Sequence, residues 1–280
     1  MKKTILFVLA FIFGAFASPM VGYYLTAILR IVATPEWLIG VLVPVVTWFI
    51  VYALLLLLFF KPLILQGFSK DQEFRPVDAD EFPQLDINSL QRYTDALESA
   101  GFVKLIDFKI VGQISFARLF VHPQHSCWAE VNQIFFKSRK PMPIAVTIMS
   151  AIEPNWSLST MDRKISGSGL LFGVHYMWRH PRTLWINQPG VTPSKLLQTH
   201  LQRLGKIVST LNLQVTELTD TSLAAYSTFQ REERIKRKKT IQHKNIIVGV
   251  VEALFFAVNP KQEWMGEYED VVATKMRSSR

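Results

Sequence analysis

The chain has 280 residues, of which 49% are hydrophobic, and a formal net charge of +9 at pH 7. A chain of this length can bury a sizeable core without cross-links. Its single cysteine, Cys127, cannot form an intramolecular disulfide, so the composition excludes a disulfide-stabilised scaffold and favours a reducing compartment.

Two long segments near the N-terminus, residues 4–29 and 37–60, contain no charged side chain. A helix of the second length reaches about 36 Å and could cross a hydrocarbon core of about 30 Å. The pattern predicts a membrane anchor over residues 1–66, made of a transmembrane helical hairpin with spans at about 4–30 and 37–60. Because Ala15-Phe16-Ala17 is typical of a cleavage site, residues 1–17 are alternatively a cleaved signal peptide.

Small residues recur at every fourth position of the first apolar segment, at Gly14, Ser18 and Gly22. This spacing lets two membrane helices approach closely, although chance in a Gly- and Ala-rich segment explains it equally well. It suggests packing against a membrane-protein partner or self-association through the hairpin.

The basic residues around the two apolar segments predict an orientation. Lys2 and Lys3 precede them and Lys61 and Lys70 follow them, whereas Arg30 alone lies between them. The positive-inside bias then places both termini in the cytoplasm. We expect a multi-pass membrane protein, in contact with the lipid bilayer.

Residues 67–85 contain two prolines, Pro76 and Pro83, and are predicted to form a linker. Residues 86–280 are predicted to form a cytoplasmic domain. The segment DINSLQRYTDALESAGF predicts a helix capped by Asp86 or Asn88 and closed by Gly101. Seven β-rich runs follow, namely VKLIDFKI, SFARLFVHP, CWAEVNQIFF, PIAVTIMSAI, WSLSTM, GLLFGVHYMW and RTLWI. Their short connections predict a mainly antiparallel sheet.

Helical signals return after the strands. Thr192-Pro193 is typical of a helix start, and apolar spacing continues to about residue 211. A second helix is predicted from about Thr221 into a basic segment. A helix, then strands, then helices indicates an α+β fold, with helices flanking the sheet.

The segment 231–244 has seven basic and two acidic residues. It reads as a solvated helix, as an anionic-lipid surface or as a nucleic-acid surface; no RNA-binding signature accompanies it, so no nucleic acid is expected. The following run, IIVGVVEALFFAVN, is too short to span a membrane and reads as a buried helix or as one lying in the membrane interface. The predicted lipid or partner surface consists of Arg231, Arg234, Lys236, Arg237, Lys238, Lys239 and Lys244.

No cofactor is predicted, although the sequence offers candidate ligands for zinc. Imidazole and thiolate groups bind zinc well, but the spacing here matches no standard site, and HPQHS reads equally well as a turn between strands. The candidate ligands are His122, His125, Cys127, His175 and His180. No catalytic residue is predicted, because the common reaction motifs are absent from the sequence.

Four short segments resemble a scattered group of bacterial proteins, including cyanobacterial ones. These segments are FRPVD, ALESAGF, ARLFVHP and AEV, between residues 74 and 131. The resemblance implies a cytoplasmic α+β domain behind one or two membrane helices, in a bacterial inner or thylakoid membrane, and carries no catalytic residues.

Three functions are consistent with these observations. The first is a membrane-anchored cytoplasmic module that binds or helps assemble a membrane-associated partner. The second is a metal-dependent or hydrolytic enzyme that uses the His/Cys cluster. The third is a sensor of anionic lipid through the basic segment 231–244.

Overall fold

The chain divides into two compact units, residues 1–69 and 70–280. The structure, a computed structural model, describes residues 72–136, 140–163 and 179–278 of the second unit. In the first unit it describes Tyr23, residues 43–51, Leu54, Phe59, Lys61, Pro62, Leu65 and Gln66.

The predicted transmembrane hairpin is contradicted. Within the described residues, no helix is long and apolar enough to cross a membrane. The longest continuous helical stretch described in the first unit is residues 43–51, about 13 Å long at 1.5 Å per residue, against a hydrocarbon core of about 30 Å. The prediction treated lack of charge over many residues as sufficient for a spanning helix.

The same finding overturns the multi-pass location in a bacterial inner or thylakoid membrane, with both termini cytoplasmic. Of the first predicted span, only Tyr23 belongs to the described residues. The predicted helix-packing residues Gly14, Ser18 and Gly22 lie outside them.

The second unit is built on one sheet, and its α+β class is confirmed. The described residues form nine strands in the order β1-β2-β3-β4-β5-β6-β7-β9, with β8 paired to β5. The strands are β1 (Phe74–Pro76), β2 (Val103–Ile110), β3 (Ser115–His122), β4 (Cys127–Ile134), β5 (Ala145–Glu153), β6 (Trp156–Asp162), β7 (Thr183–Asn187), β8 (Gln214–Val215) and β9 (Glu263–Trp264).

The sheet is mixed because β6 and β7 run parallel, with Ser157 opposite Thr183, whereas the other strand pairs are antiparallel. A parallel pair cannot be joined by a tight turn, and 20 residues separate the end of β6 from the start of β7. The predicted strand GLLFGVHYMW falls in residues 164–178, outside the described residues. β1 lies within the stretch predicted as a linker.

Four of the five α-helices described in this unit begin at a residue whose side chain accepts a backbone hydrogen bond from the first turn. The five helices are α1 (Ile87–Ser99), α2 (Pro193–Leu211), α3 (Leu223–His243), α4 (Ile246–Val258) and α5 (Gly266–Ser278). The predicted caps of the first two are confirmed: Asp86 accepts a hydrogen bond from the Ser89 N–H, and Thr192 from the Lys195 N–H. The predicted closing glycine, Gly101, follows α1 with a φ of 91°.

The two faces of the sheet carry different helices. Alternate residues of a strand face opposite sides, so Phe116 and Phe120 of β3 pack with α1 and α2, whereas Leu119 and Val121 pack with α3. A third cluster joins β6 and β7 to α2 and α5. All three clusters lie in the second unit, which therefore has its own core.

Candidate functional site

The predicted ligands His122 and His125 lie together at the turn between β3 and β4. Their ring centroids are 4.3 Å apart. The Gln124 N–H donates to His122 Nδ1 over 3.3 Å, and a Cβ placed on Gly101 would lie 2.9 Å from His122 Nε2. Burial, followed by the charge of His125, lowers the pKa of His122. Both ring nitrogens of His122 therefore face protein backbone.

Cys127 begins β4 directly opposite His122 in the sheet register. Its side chain is fully buried in the core cluster beneath α1 and α2. Burial raises the pKa of the Cys127 thiol to about 12, so it is protonated near neutral pH, whereas zinc binds the thiolate.

His180 is remote from this pair. It precedes β7, which lies four strands from β3, so the two sites are roughly 19 Å apart at about 4.8 Å per strand. The Arg182 N–H donates to its Nδ1 over 3.1 Å, and burial lowers its pKa. His175 lies outside the described residues, among which no group of three or more His, Cys, Asp or Glu side chains is placed to hold a metal.

A buried histidine that the sequence analysis missed connects α2 to the sheet. His200 Nε2 lies 3.0 Å from Ser150 Oγ of β5, and its Nδ1 lies 2.9 Å from Thr160 Oγ1 of β6. All three side chains are fully buried, and burial lowers the pKa of His200 to about 3. This triplet cross-links helix and sheet and is closed to any substrate. Its signal in the sequence was a histidine within the apolar stripe of α2.

A polar network connects α3 to the opposite sheet face. The Tyr226 hydroxyl and the Asn132 amide both donate to Glu130, and Arg163 Nη2 donates to Asn132 Oδ1 over 2.9 Å. Gln230 donates to the Tyr226 hydroxyl over 2.7 Å. Burial, followed by the Glu130 charge, raises the pKa of Tyr226. These groups satisfy one another's hydrogen-bonding requirements and hold α3 on the sheet.

The basic segment 231–244 forms the C-terminal half of α3, and part of its charge is used internally. Lys236 pairs with Glu233 at 2.7 Å, and Lys244 pairs with Glu252 of α4. Burial lowers the pKa of the Arg237 guanidinium. Lys239, by contrast, is exposed and forms no ion pair with any described residue.

An open groove of about 700 Å³ runs along the outer side of α1. Two of its side chains are hydrogen-bonded to each other: Gln91 Nε2 donates to Asp95 Oδ1 over 2.7 Å. Its lining residues are Asn88, Gln91, Arg92, Asp95, Ala96 and Ser99. The groove brings together no reactive groups.

Among the described helices of the second unit, α4 exposes the largest set of apolar side chains. Large apolar side chains of this helix are exposed along one side, up to 73% for Phe255 and 87% for Val258. The opposite side, with Ala253 and Phe256, is buried. We call the exposed set the α4 stripe; it consists of Ile247, Val248, Val251, Leu254, Phe255 and Val258.

The fold and its surfaces define an α+β domain with an uncovered apolar helix face. Comparison with protein-family models, curated proteins and solved structures finds no match to this chain.

Proposed function

We propose that this chain is a non-catalytic binding module and that the α4 stripe is its contact surface. The exposure of six large apolar side chains on one helix carries the proposal. Burying such a side chain contributes about 1.5–3 kcal/mol. A contiguous apolar patch of this kind usually marks an interaction site, whereas apolar residues exposed singly need no such explanation.

The protonation states of the buried reactive groups support a non-catalytic role. A nucleophilic cysteine needs thiolate character, and a general base needs a pKa near the operating pH. Burial raises the pKa of Cys127 to about 12 and lowers that of His200 to about 3. Both groups are neutral and sealed in the core near neutral pH.

Solvent protection of α4 in its native setting tests the proposal. We would introduce Phe255→Cys into the full chain and follow its reaction with a water-soluble maleimide in fresh homogenate of the producing cells. A covered stripe should slow labelling about tenfold relative to an exposed site, which corresponds to about 1.4 kcal/mol of protection. The native Cys127 is buried and contributes no rapid labelling.

Ile87→Cys is the matched control, because Ile87 is an apolar residue with 51% exposure on α1, across the sheet from α3. The labelling rate of each cysteine is divided by its rate in SDS, where the chain is unfolded, to correct for the intrinsic reactivity of the two thiols. Equal normalised rates at positions 87 and 255 would mean that nothing covers the stripe, and the proposed function would then be wrong.

A further inference from the structure

Building on the proposed function, we infer that the α4 stripe binds an anionic lipid surface, with the helix lying parallel to that surface. The stripe residues fall within an arc of about 120° at 100° per residue. The buried residues Gly249, Ala253 and Phe256 occupy the opposite side of the helix. One side of α4 is thus held by the protein while the other is open to solvent.

The dimensions of the stripe suit a lipid headgroup interface. From Ile247 to Val258 it is about 16 Å long at 1.5 Å per residue. An apolar helix face of this size can enter the boundary between headgroups and acyl chains when the helix lies in its plane. It has Phe and Leu side chains at its centre, which such helices commonly use.

The exposed charges that flank the stripe in sequence are complementary to anionic headgroups. Exposed lysines flank it in sequence, with Lys239 before α4 and Lys261 after it. The single acidic residue of α4, Glu252, pairs with Lys244 and lies 3.7 Å from Arg179. Each lysine near an anionic lipid surface should strengthen partitioning about fivefold.

The same charges disfavour a second copy of the chain as the occupant. In a two-fold symmetric contact the stripe would meet its own copy, with the two α4 helices either antiparallel or parallel. Antiparallel packing would bring Lys239 of one copy towards Lys261 of the other, and parallel packing would bring each lysine towards its own equivalent. Like charges brought together oppose association in both cases. An anionic lipid surface, by contrast, would attract both lysines.

A local fluorescent label tests the inference in the full chain. An environment-sensitive dye on Phe255→Cys would be mixed with vesicles of phosphatidylglycerol and phosphatidylcholine in equal amounts, with brominated acyl chains as quencher. We expect a blue shift and strong quenching at position 255 and neither at Ile87→Cys. Because the dye reports only its own position, association through other parts of the chain gives no signal.

Charge variants separate lipid electrostatics from apolar contact. Lys239→Gln and Lys261→Gln should each weaken the 255 signal about fivefold, and added salt should weaken it further. Lys206→Gln, an exposed position on α2, should leave it unchanged. Vesicles of phosphatidylcholine alone should bind more weakly.

The possible outcomes distinguish this inference from the proposed function. If position 255 is not quenched by the vesicles but is still protected from maleimide in the homogenate, a protein covers the stripe. That result would overturn the lipid inference alone. Absence of both quenching and protection would overturn both proposals. Equal quenching at 255 and 87, or insensitivity to the lysine variants, would also overturn the anionic-lipid assignment.

Discussion

Helices α2 and α4 both carry apolar residues at helical spacing, yet α2 buries its apolar side against the sheet, whereas α4 leaves much of its apolar surface exposed. In α2, Leu196, Leu204 and Ile207 are buried, and the outer side carries polar residues such as Lys206. In α4, Glu252 is the only charged residue, and apolar residues occupy nearly the whole circumference. A helix that is apolar all round has more surface to cover than one protein contact provides. The comparison shows that the apolar side of α2 is covered within this fold, and it supports the proposal that α4 makes a further contact.

The largest expected effect on the free energy of unfolding comes from a buried ion pair beneath α1. Arg118 Nε and Nη2 donate to the two Asp107 oxygens, each over 2.7 Å, and Arg118 Nη1 donates to Thr94. Asp107→Asn should leave a buried guanidinium without its counter-charge and lower the free energy of unfolding by about 3–5 kcal/mol. Urea denaturation measures this loss.

The control for Asp107→Asn is Glu73→Gln, which removes an exposed ion pair with Arg75. Its effect should stay below about 1 kcal/mol. If the two variants lose similar amounts of stability, the buried ion pair of Arg118 contributes no more than the exposed ion pair of Arg75.

A matched pair of leucine substitutions tests the comparison between α2 and α4 directly. Leu196 is fully buried, whereas Leu254 is 54% exposed. Leu196→Ala should cost about 2–5 kcal/mol because it opens a cavity, and Leu254→Ala about 0.5 kcal/mol because the site faces solvent. Chemical denaturation of both variants under identical conditions measures the difference. A large loss at Leu254 would mean that the stripe is packed within the chain and would weaken the comparison.

The pH dependence of stability should report His200. Its pKa of about 3 in the folded state lies below the ordinary 6.5, so below pH 6.5 the unfolded chain binds a proton that the folded chain does not. Its contribution is therefore complete above pH 6.5 and is lost as the pH falls towards 3, by up to about 1.4 kcal/mol per pH unit. Urea denaturation between pH 7 and pH 4 measures this slope.

His200→Gln keeps polar atoms near Ser150 and Thr160 but removes the titrating ring. The slope of the free energy of unfolding against pH should then lose the contribution of about one bound proton, which is about 1.4 kcal/mol per pH unit. The lowered pKa values of His122 and His180 act in the same direction and remain in the variant. An unchanged slope would contradict the role assigned to His200.

The smallest expected effect on the free energy of unfolding comes from the exposed lysines that flank α4 in sequence. Lys239→Gln and Lys261→Gln change exposed residues without an ion pair to any described residue, so the free energy of unfolding should change by no more than about 0.5 kcal/mol. Thermal denaturation checks this expectation. A stable fold in both variants ensures that any loss of vesicle binding reflects the surface and not the core.

Sequence alone determined most of the local structure of the second unit. β2 is the predicted run VKLIDFKI without change, and α2 begins at Thr192-Pro193 and ends at Leu211 as the pattern predicted. The HPQHS turn also lies between β3 and β4, with Cys127 starting the next strand. These features are recoverable because caps, turns and periodicity act over a few neighbouring residues.

Only the tertiary structure decided which apolar segments are covered and which polar groups meet. Lack of charge in residues 37–60 predicted a spanning helix that the described residues do not contain, and the apolar run of α4 did not reveal that one side stays exposed. The parallel pairing of β6 with β7 and the contact of His200 with Ser150 join residues far apart in sequence. Burial, charge pairing and strand order depend on such distant neighbours, whereas helix caps and strand periodicity do not.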